Sequence, residues 1–380
     1  MDVLALEDLS IADLADKLGV GERWLRELFR EQVGVSPQQV LMAKKLDIAR
    51  NLLDSSSLSI TDIAFSSGFQ SLRRFNDAFK IRFQKTPSAL RKDSDQKGQL
   101  HIQLSYRPPY AWEQLIRFLA YRAIPGTEKV EGDSYQRLFT YNDTRGWFKV
   151  THTAQCKIAV ELKLNKNINL LEFVRRLKNI FDLDADPMAI ERALQEDKKL
   201  VPFLKAHQGI RIPGCWDSFE LVVRAIVGQR ISVKAAHKIL CRIVETCGEL
   251  QTLDSKLDLL CYFPTPEAIL AADLAHVGLP VSRIETLKTL AREIVNKTLV
   301  LDGTADYEET CRKLLSIKGV GPWTVQYIAM RALRNPNAFP ETDLEIQKKI
   351  TRFKLDSKKW IPWRAYAAVL LFIIQTEAKG

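Results

Sequence analysis

The 380-residue chain has no paired cysteine motif. Its six cysteines include no C-x-x-C, and none precedes Cys156. The nearest two, Cys241 and Cys247, are spaced C-x5-C inside a helical pattern. A zinc ribbon, an iron–sulfur run and a disulfide framework all need tighter or repeated spacing. The thiols therefore read as reduced and mostly buried. Five scattered histidines give no metal-ligating cluster either. Long apolar runs are also missing. The longest, from Tyr366 to Ile374, is about half of the roughly 20 residues a membrane span needs. The start, Met1 to Asp8, is acidic and lacks the basic opening of a secretory signal. Glycine (17) and proline (15) are too few for a low-complexity chain. What is present is ordinary for globular proteins: 46% hydrophobic and 27% charged residues, with a length that suggests two or three domains. The formal charge of +10 allows a polyanionic partner, but that weight depends on whether the charge is organised.

The first 92 residues carry a duplicated pattern. Ile11, Leu14, Ala15 and Leu18 have helical spacing, Gly19 and Gly21 interrupt it, and Trp24, Leu25, Leu28 and Phe29 resume it. About 50 residues on, Ser59 to Phe65 predicts a helix, Ser66-Ser67-Gly68 a turn, and Phe69 to Phe83 a second helix. Helix, short Gly-containing turn, helix is the helix-turn-helix arrangement. Pro37 to Leu53 predicts one long connecting helix. Residues 70–92 hold seven Lys/Arg against Asp77 alone. A helix that enters a major groove needs exposed basic and polar residues near its start, and Gln70, Ser71, Arg73, Arg74 and Asn76 meet that need. A solvated basic face is the plainer alternative. The first candidate recognition helix, Glu22 to Gln32, sets three Glu against three Arg.

Residues 93–99 read as a polar linker. Alternation follows at Leu100–Tyr106, Arg137–Tyr141, Trp147–Thr151 and Ile158–Leu164. Helical patterns run over Trp112–Arg122 and Leu170–Phe181, which predicts two helices on an antiparallel sheet. From about residue 186 helical periodicity dominates. The fold class expected is multidomain and mainly α. Residues 1–92 form an all-α paired helix-turn-helix module, 100–185 a small α+β domain and 186–380 an all-α domain.

The sharpest motif is Leu314-Leu315-Ser316-Ile317-Lys318-Gly319-Val320-Gly321-Pro322-Trp323-Thr324, framed by two amphipathic patterns. Two glycines one residue apart allow a tight hairpin whose amides can face an anion, and Pro322 suits the first turn of the next helix. The motif reads as a helix-hairpin-helix, with a plain glycine turn between core helices as the alternative. Lys318, Gly319, Val320 and Gly321 are its candidate DNA contacts. Asp343 follows at a distance. Locally it reads as an N-cap.

These motifs resemble two known families. Ser59-Ile60-Thr61-Asp62-Ile63-Ala64, Ser67-Gly68-Phe69, Phe75-Asn76-Asp77-Ala78-Phe79 and Thr86-Pro87-Ser88-Ala89-Leu90-Arg91 look like an AraC-type DNA-binding domain, and that resemblance covers residues 5–92. From about residue 100 to the end the chain resembles the bacterial 3-methyladenine DNA glycosylase II family, of the helix-hairpin-helix glycosylase superfamily. The residues that carry this are Leu104-x-Tyr106-x-Pro108-Pro109-Tyr110-x-Trp112, Arg211-Ile212-Pro213-Gly214-Cys215, Val223-Arg224-Ala225-Ile226-Val227-Gly228-Gln229, Phe263-Pro264-Thr265-Pro266 and Trp360-Ile361-Pro362-Trp363-Arg364.

The resemblance implies hydrolysis of the N-glycosidic bond of alkylated bases, of the 3-methyladenine and 7-methylguanine type, in duplex DNA. Asp343 matches the family's catalytic carboxylate, and Trp323, Tyr327 and Phe372 match positions lining its base pocket. In strand-cutting members a Lys follows the G-V-G-x unit. Here Trp323 stands there, which implies a monofunctional enzyme without lyase activity. No Cys follows Cys311 in the sequence, so the superfamily's four-Cys iron–sulfur cluster is not expected. No cofactor is expected to be required. A monovalent cation, Na or K, is implied at the hairpin on the carbonyls of Leu315, Ile317 and Val320. The resemblance implies DNA contacts at Gln229 and Arg230, with Arg230 at the wedge position, where relatives carry an apolar residue after Gly-Gln. Phe372 stands where relatives carry Trp.

The resulting expectation is a DNA-reading module of the adaptive response to alkylation, joined to a repair enzyme. It would be monomeric and cytoplasmic, associated with the nucleoid, with duplex DNA as partner and no membrane contact. Fused relatives begin with a methyl-accepting Cys domain, so the chain is expected to be a shortened form. Two alternatives stand beside this: a regulator whose inactive glycosylase part senses damage, and an enzyme whose first module only raises DNA affinity.

Overall fold

The computed structural model describes residues 15, 20–56, 58–91, 100–166, 168–301 and 305–374. The expected first helix over residues 10–17, apart from Ala15, and the expected linker lie outside the described residues. Two compact units make up the chain. One comprises residues 1–103, 141–146 and 159–177, and the other residues 104–140, 147–158 and 178–380.

In the first unit, helices α1 (Glu22–Val33), α2 (Pro37–Ser55), α3 (Ile60–Ser66), α4 (Leu72–Phe83) and α5 (Pro87–Leu90) follow one another. Their starts are set by side-chain caps. Ser36 forms a reciprocal capping box with Gln39, and Ser59, Ser71 and Thr86 each accept from an amide three residues on. Helix α4 begins at Leu72 rather than at Phe69 as the periodicity predicts. Phe69 is buried in the turn, edge-on to Phe75 at 5.2 Å, so the apolar period runs past the cap that starts the helix. Phe75 and Phe79 fill the core, while Gln70, Arg73, Arg74 and Asn76 stay exposed. On α1, Arg23 pairs with Glu27 at 3.0 Å and Arg26 with Glu22 at 2.8 Å. Two of its three arginines are thus already matched within their own helix.

A five-stranded sheet has the order β1-β5-β4-β3-β2. Its strands are β1 (Leu100–Ser105), β2 (Glu128–Glu131), β3 (Ser134–Tyr141), β4 (Thr144–Thr153) and β5 (Lys157–Leu164). Helices α6 (Trp112–Arg122) and α7 (Leu170–Phe181) fall on the predicted spans. Strand β2 carries too much charge to show an alternating apolar pattern. It pairs antiparallel with β3 through a two-residue Gly132-Asp133 turn, and the register sets Glu128 opposite Arg137.

The remainder of the second unit is helical. Helices α8 (Pro187–Leu194), α9 (Val201–Ala206), α10 (Ser218–Val227), α11 (Val233–Cys247), α12 (Pro266–Ala271) and α13 (Val281–Val295) come first. Then follow α14 (Tyr307–Ser316), α15 (Pro322–Arg331), α16 (Leu344–Phe353) and α17 (Arg364–Ile373). Two apolar cores meet at α15. Val325 and Ile328 belong to the core built by α10, α11 and α13, and Ala329 and Met330 to the one built by α8, α16 and α17. Burial on two sides fixes α15 as a rigid wall, and the hairpin motif is the turn that leads into it. Among the described residues, no helix is long and apolar enough to cross a membrane.

Candidate active site

The hairpin between α14 and α15 is tightly determined. Gly319 has φ +96°, and a Cβ there would lie 2.5 Å from the Thr286 hydroxyl, so only glycine fits. Thr286 on α13 donates to the Lys318 carbonyl at 2.8 Å. Gln229, from the turn between α10 and α11, donates to the Gly319 carbonyl and to Thr324 Oγ1, both at 2.9 Å. Its amide nitrogen is therefore spent on bracing the hairpin, a role that sequence spacing does not reveal. Arg230, next along, is exposed and takes the left-handed conformation at φ +58°. The amides of Gly319 and Gly321 have no acceptor among the described residues. Exposed Lys318 and the N-terminus of α15 add positive charge beside them.

Helix α15 carries Trp323 and Tyr327 four residues apart, on one face, with rings stacked 5.2 Å apart at 12°. Both line a cavity of about 490 Å³, together with Phe372, Phe118, Arg122 and Arg331. The Trp323 indole Nε1 donates to Asp343 Oδ2 at 2.8 Å. Asp343 Oδ1 accepts from the amides of Glu345 and Ile346 at 2.9 and 3.1 Å and caps α16. Both readings of Asp343 are therefore realised, one on each oxygen: a helix cap, and a half-buried carboxylate tied to the wall of the cavity. Asp343, Trp323, Tyr327 and Phe372 are brought to one place.

Several residues at the site escaped the sequence reading. Glu128 and Glu220 interleave with Arg137 and Arg224 under the cavity. Arg137 donates to Glu220 at 2.7 Å and to Glu128 at 3.2 Å, and Arg224 donates to both carboxylates at 2.6 Å. The Tyr135 hydroxyl adds a 2.5 Å bond to Glu128. Burial alone would raise the Glu128 pKa, but Arg224, Arg137 and the Tyr135 hydrogen bond outweigh it and hold it at about 2. Only the Glu220–Arg224 pair, at i,i+4, was open to sequence. Arg331 donates to the carbonyls of Pro213 at 2.6 Å and Gly214 at 3.0 Å, and to the Tyr327 hydroxyl. Burial pushes the Tyr327 phenol up, yet the Arg331 and Arg122 charges and the Arg331 hydrogen bond leave it below its ordinary 10.0.

Family models match three consecutive stretches: a helix-turn-helix domain at residues 14–93, an AlkA N-terminal domain at 101–217, and an HhH-GPD superfamily base excision DNA repair protein at 223–362. A "probable bifunctional transcriptional activator/DNA repair enzyme AlkA" of Mycobacterium tuberculosis is 33% identical over 94% of this chain and 75% of its own. DNA-3-methyladenine glycosylase 2 of Escherichia coli is 32% identical over 72% of this chain and 96% of its own. The chain belongs to the AlkA family. A 3-methyladenine DNA-glycosylase of Archaeoglobus fulgidus shares the fold, with TM-score 0.62 at 23% identity over 72% of this chain and 97% of that one. Two of the family models abut the site: the N-terminal one supplies Glu128, Arg137 and Arg122, and the HhH-GPD one Asp343, Trp323 and the hairpin.

The ion network should make the stability of this AlkA-family domain depend on acid. The folded Glu128 pKa is depressed, so its contribution is complete above the ordinary carboxylate value of 4.5 and is lost as pH falls toward about 2. Arg137→Met leaves two buried carboxylates short of a partner and should cost about 3–5 kcal/mol in denaturant unfolding at pH 7. It should also move acid unfolding to higher pH.

Proposed function

We propose that the chain is a monofunctional DNA glycosylase that hydrolyses the N-glycosidic bond of alkylated bases in duplex DNA. In this reading it also carries a sequence-specific DNA-binding module that regulates transcription. The observation that carries the enzyme reading is the Trp323–Asp343 hydrogen bond, which ties a carboxylate to an aromatic-walled cavity one helix past a helix-hairpin-helix. The target bond lies inside the base stack, so the nucleotide must be extruded to reach the cavity. Unpaired hairpin amides suit the phosphate of the gripped strand, and Arg230 suits the gap left behind, since a guanidinium both stacks and donates.

Within the cavity, Trp323 and Tyr327 present stacked faces to the extruded base. As the bond breaks, positive charge grows on the sugar. The Asp343 carboxylate opposes that charge and orients the attacking water. Its oxygens are already held by one indole and two amides, so little reorganisation accompanies the reaction. Trp323 stands where a Schiff-base Lys would be needed, which supports hydrolysis without strand cleavage. The hairpin carbonyls of Leu315, Ile317 and Val320 are neutral oxygen donors. The Ile317 carbonyl accepts from the Val320 amide at 2.9 Å and keeps a second lone pair, so the set fits a monovalent ion that would rigidify the turn. The protein would act as a monomer in the bacterial cytoplasm, on the nucleoid.

In the N-terminal module, exposed Gln70, Arg73, Arg74 and Asn76 at the start of α4 would read the major groove. Helix α1, with two of its three arginines matched to its own glutamates, would contribute less. A binding-site selection with the full chain should yield a consensus that Arg74→Ala abolishes. The absence of any consensus would leave the module a general affinity device.

Asp343→Asn keeps a side chain able to cap α16, so the fold should persist. Methylpurine release from alkylated duplex DNA should fall at least 100-fold, the scale of losing one preorganised electrostatic group. Release equal to wild type would remove Asp343 from catalysis, and strand cleavage without added alkali would refute the monofunctional reading.

A further inference from the structure

The cavity is lined by five arginines, Arg122, Arg137, Arg211, Arg224 and Arg331, but only two carboxylates, Glu128 and Glu220. Arg137 and Arg224 are matched to those carboxylates. Among the described residues, Arg122, Arg211 and Arg331 carry no ion pair. Arg331 and Arg211 spend most of their donors inside the protein, Arg331 on the Pro213 and Gly214 carbonyls and the Tyr327 hydroxyl, Arg211 on the Arg107 and Pro109 carbonyls with only its Nε unpartnered. Arg122 does not. Its guanidinium lies 3.9 Å over the Phe118 ring and faces the Tyr327 hydroxyl, and no carboxylate or carbonyl accepts from it among the described residues. A guanidinium has five N–H donors and stays charged, so most of its donors remain for a ligand. The Phe118 and Tyr327 faces already hold cations, with Arg331 4.8 Å from one and 5.2 Å from the other.

We propose that Arg122 is a specificity-determining residue that stabilises the departing base when that base is neutral, and that its charge disfavours cationic bases. The proposal rests on the glycosylase reading. A cationic alkylpurine leaves as a neutral molecule and needs no help, while a positive cavity repels it before the bond breaks. A neutral base bearing an exocyclic carbonyl is the opposite case. When its C1′–N bond breaks, the electron pair goes to the base, which departs as an anion with charge spread onto the carbonyl oxygen. The sugar becomes an oxocarbenium ion opposite Asp343. Water then adds to C1′ and loses its proton to solvent, and the base anion takes a proton from solvent. Guanidinium N–H groups aimed at that oxygen strengthen as the charge grows, the condition for selective transition-state stabilisation.

The test compares single-turnover release of hypoxanthine, a neutral carbonyl-bearing purine, with release of 3-methyladenine, a cationic one without a carbonyl. Taking both rates on one preparation cancels any loss of folded enzyme. Arg122→Met should lower the hypoxanthine to 3-methyladenine ratio about 100-fold, with 3-methyladenine release rising as a repelling charge is removed. Arg122→Lys keeps the charge and should retain most of the wild-type ratio. An unchanged ratio in Arg122→Met overturns the proposal, as does a wild type that releases 3-methyladenine but no hypoxanthine. If the wild type releases neither, the glycosylase reading has itself failed.

Discussion

A single hydrogen bond, from the Trp323 indole to Asp343, joins the two parts on which the proposed chemistry depends. Trp323 belongs to a helix clamped between two apolar cores, and Asp343 belongs to the cap of the next long helix. Without the bond, the carboxylate would be an ordinary N-cap and the indole an ordinary cavity wall. With it, one Asp oxygen is consumed by helix amides and the other is fixed against the cavity. The arrangement is preorganised, because it is built from groups the fold must satisfy in any case: orphan amides at a helix start, and a half-buried indole N–H.

The constraint extends outward from Trp323. Its helix begins at Gly321-Pro322, so the hairpin and the cavity wall are one continuous segment. Thr286 and Gln229 hold two successive hairpin carbonyls from two other elements. Because Gln229 adjoins Arg230, the turn that presents the exposed arginine is tied to the hairpin that presents free amides. In the proposed function, gripping a phosphate and filling a vacated base position would thus share one scaffold. Beneath the cavity the Glu128–Arg137–Glu220–Arg224 network performs a similar task, pinning the sheet edge to α10 where apolar packing would leave no polar wall.

Local features were legible in the sequence where local chemistry decides them. The Gly-x-Gly-Pro hairpin, the helix over Trp112–Arg122 and the paired helix-turn-helix pattern all follow from spacing and turn residues. Asp343 divides the lesson. Its cap is a local fact that sequence supports, whereas its nearness to Trp323, twenty residues away, is a tertiary one that only the family resemblance implied, and the hydrogen bond between them was not foreseen. Start points failed where the buried apolar period ran past the cap. Phe69 continues the apolar period of α4 because it packs against Phe75, yet Ser71 starts the helix. The ion network stayed hidden for a different reason. Glu128 and Arg224 are 96 residues apart, and β2 is too charged to look like a strand. Gln229 is similar, since the acceptors of its amide lie 90 and 95 residues away. The +10 charge was legible only in part. Seven of the basic residues cluster at 70–92, but the arginines of the cavity are scattered along the chain and meet only in the fold.

Whether the indole positions the carboxylate is decided by a double-mutant cycle on single-turnover 7-methylguanine release. Trp323→Phe keeps an aromatic wall and removes the N–H, while Asp343→Asn removes the charge. A positioning indole gives strong non-additivity: each single change slows release, and the double mutant is little slower than Asp343→Asn alone. Losses that simply multiply would mean that the two residues act independently and that the indole does not position the carboxylate.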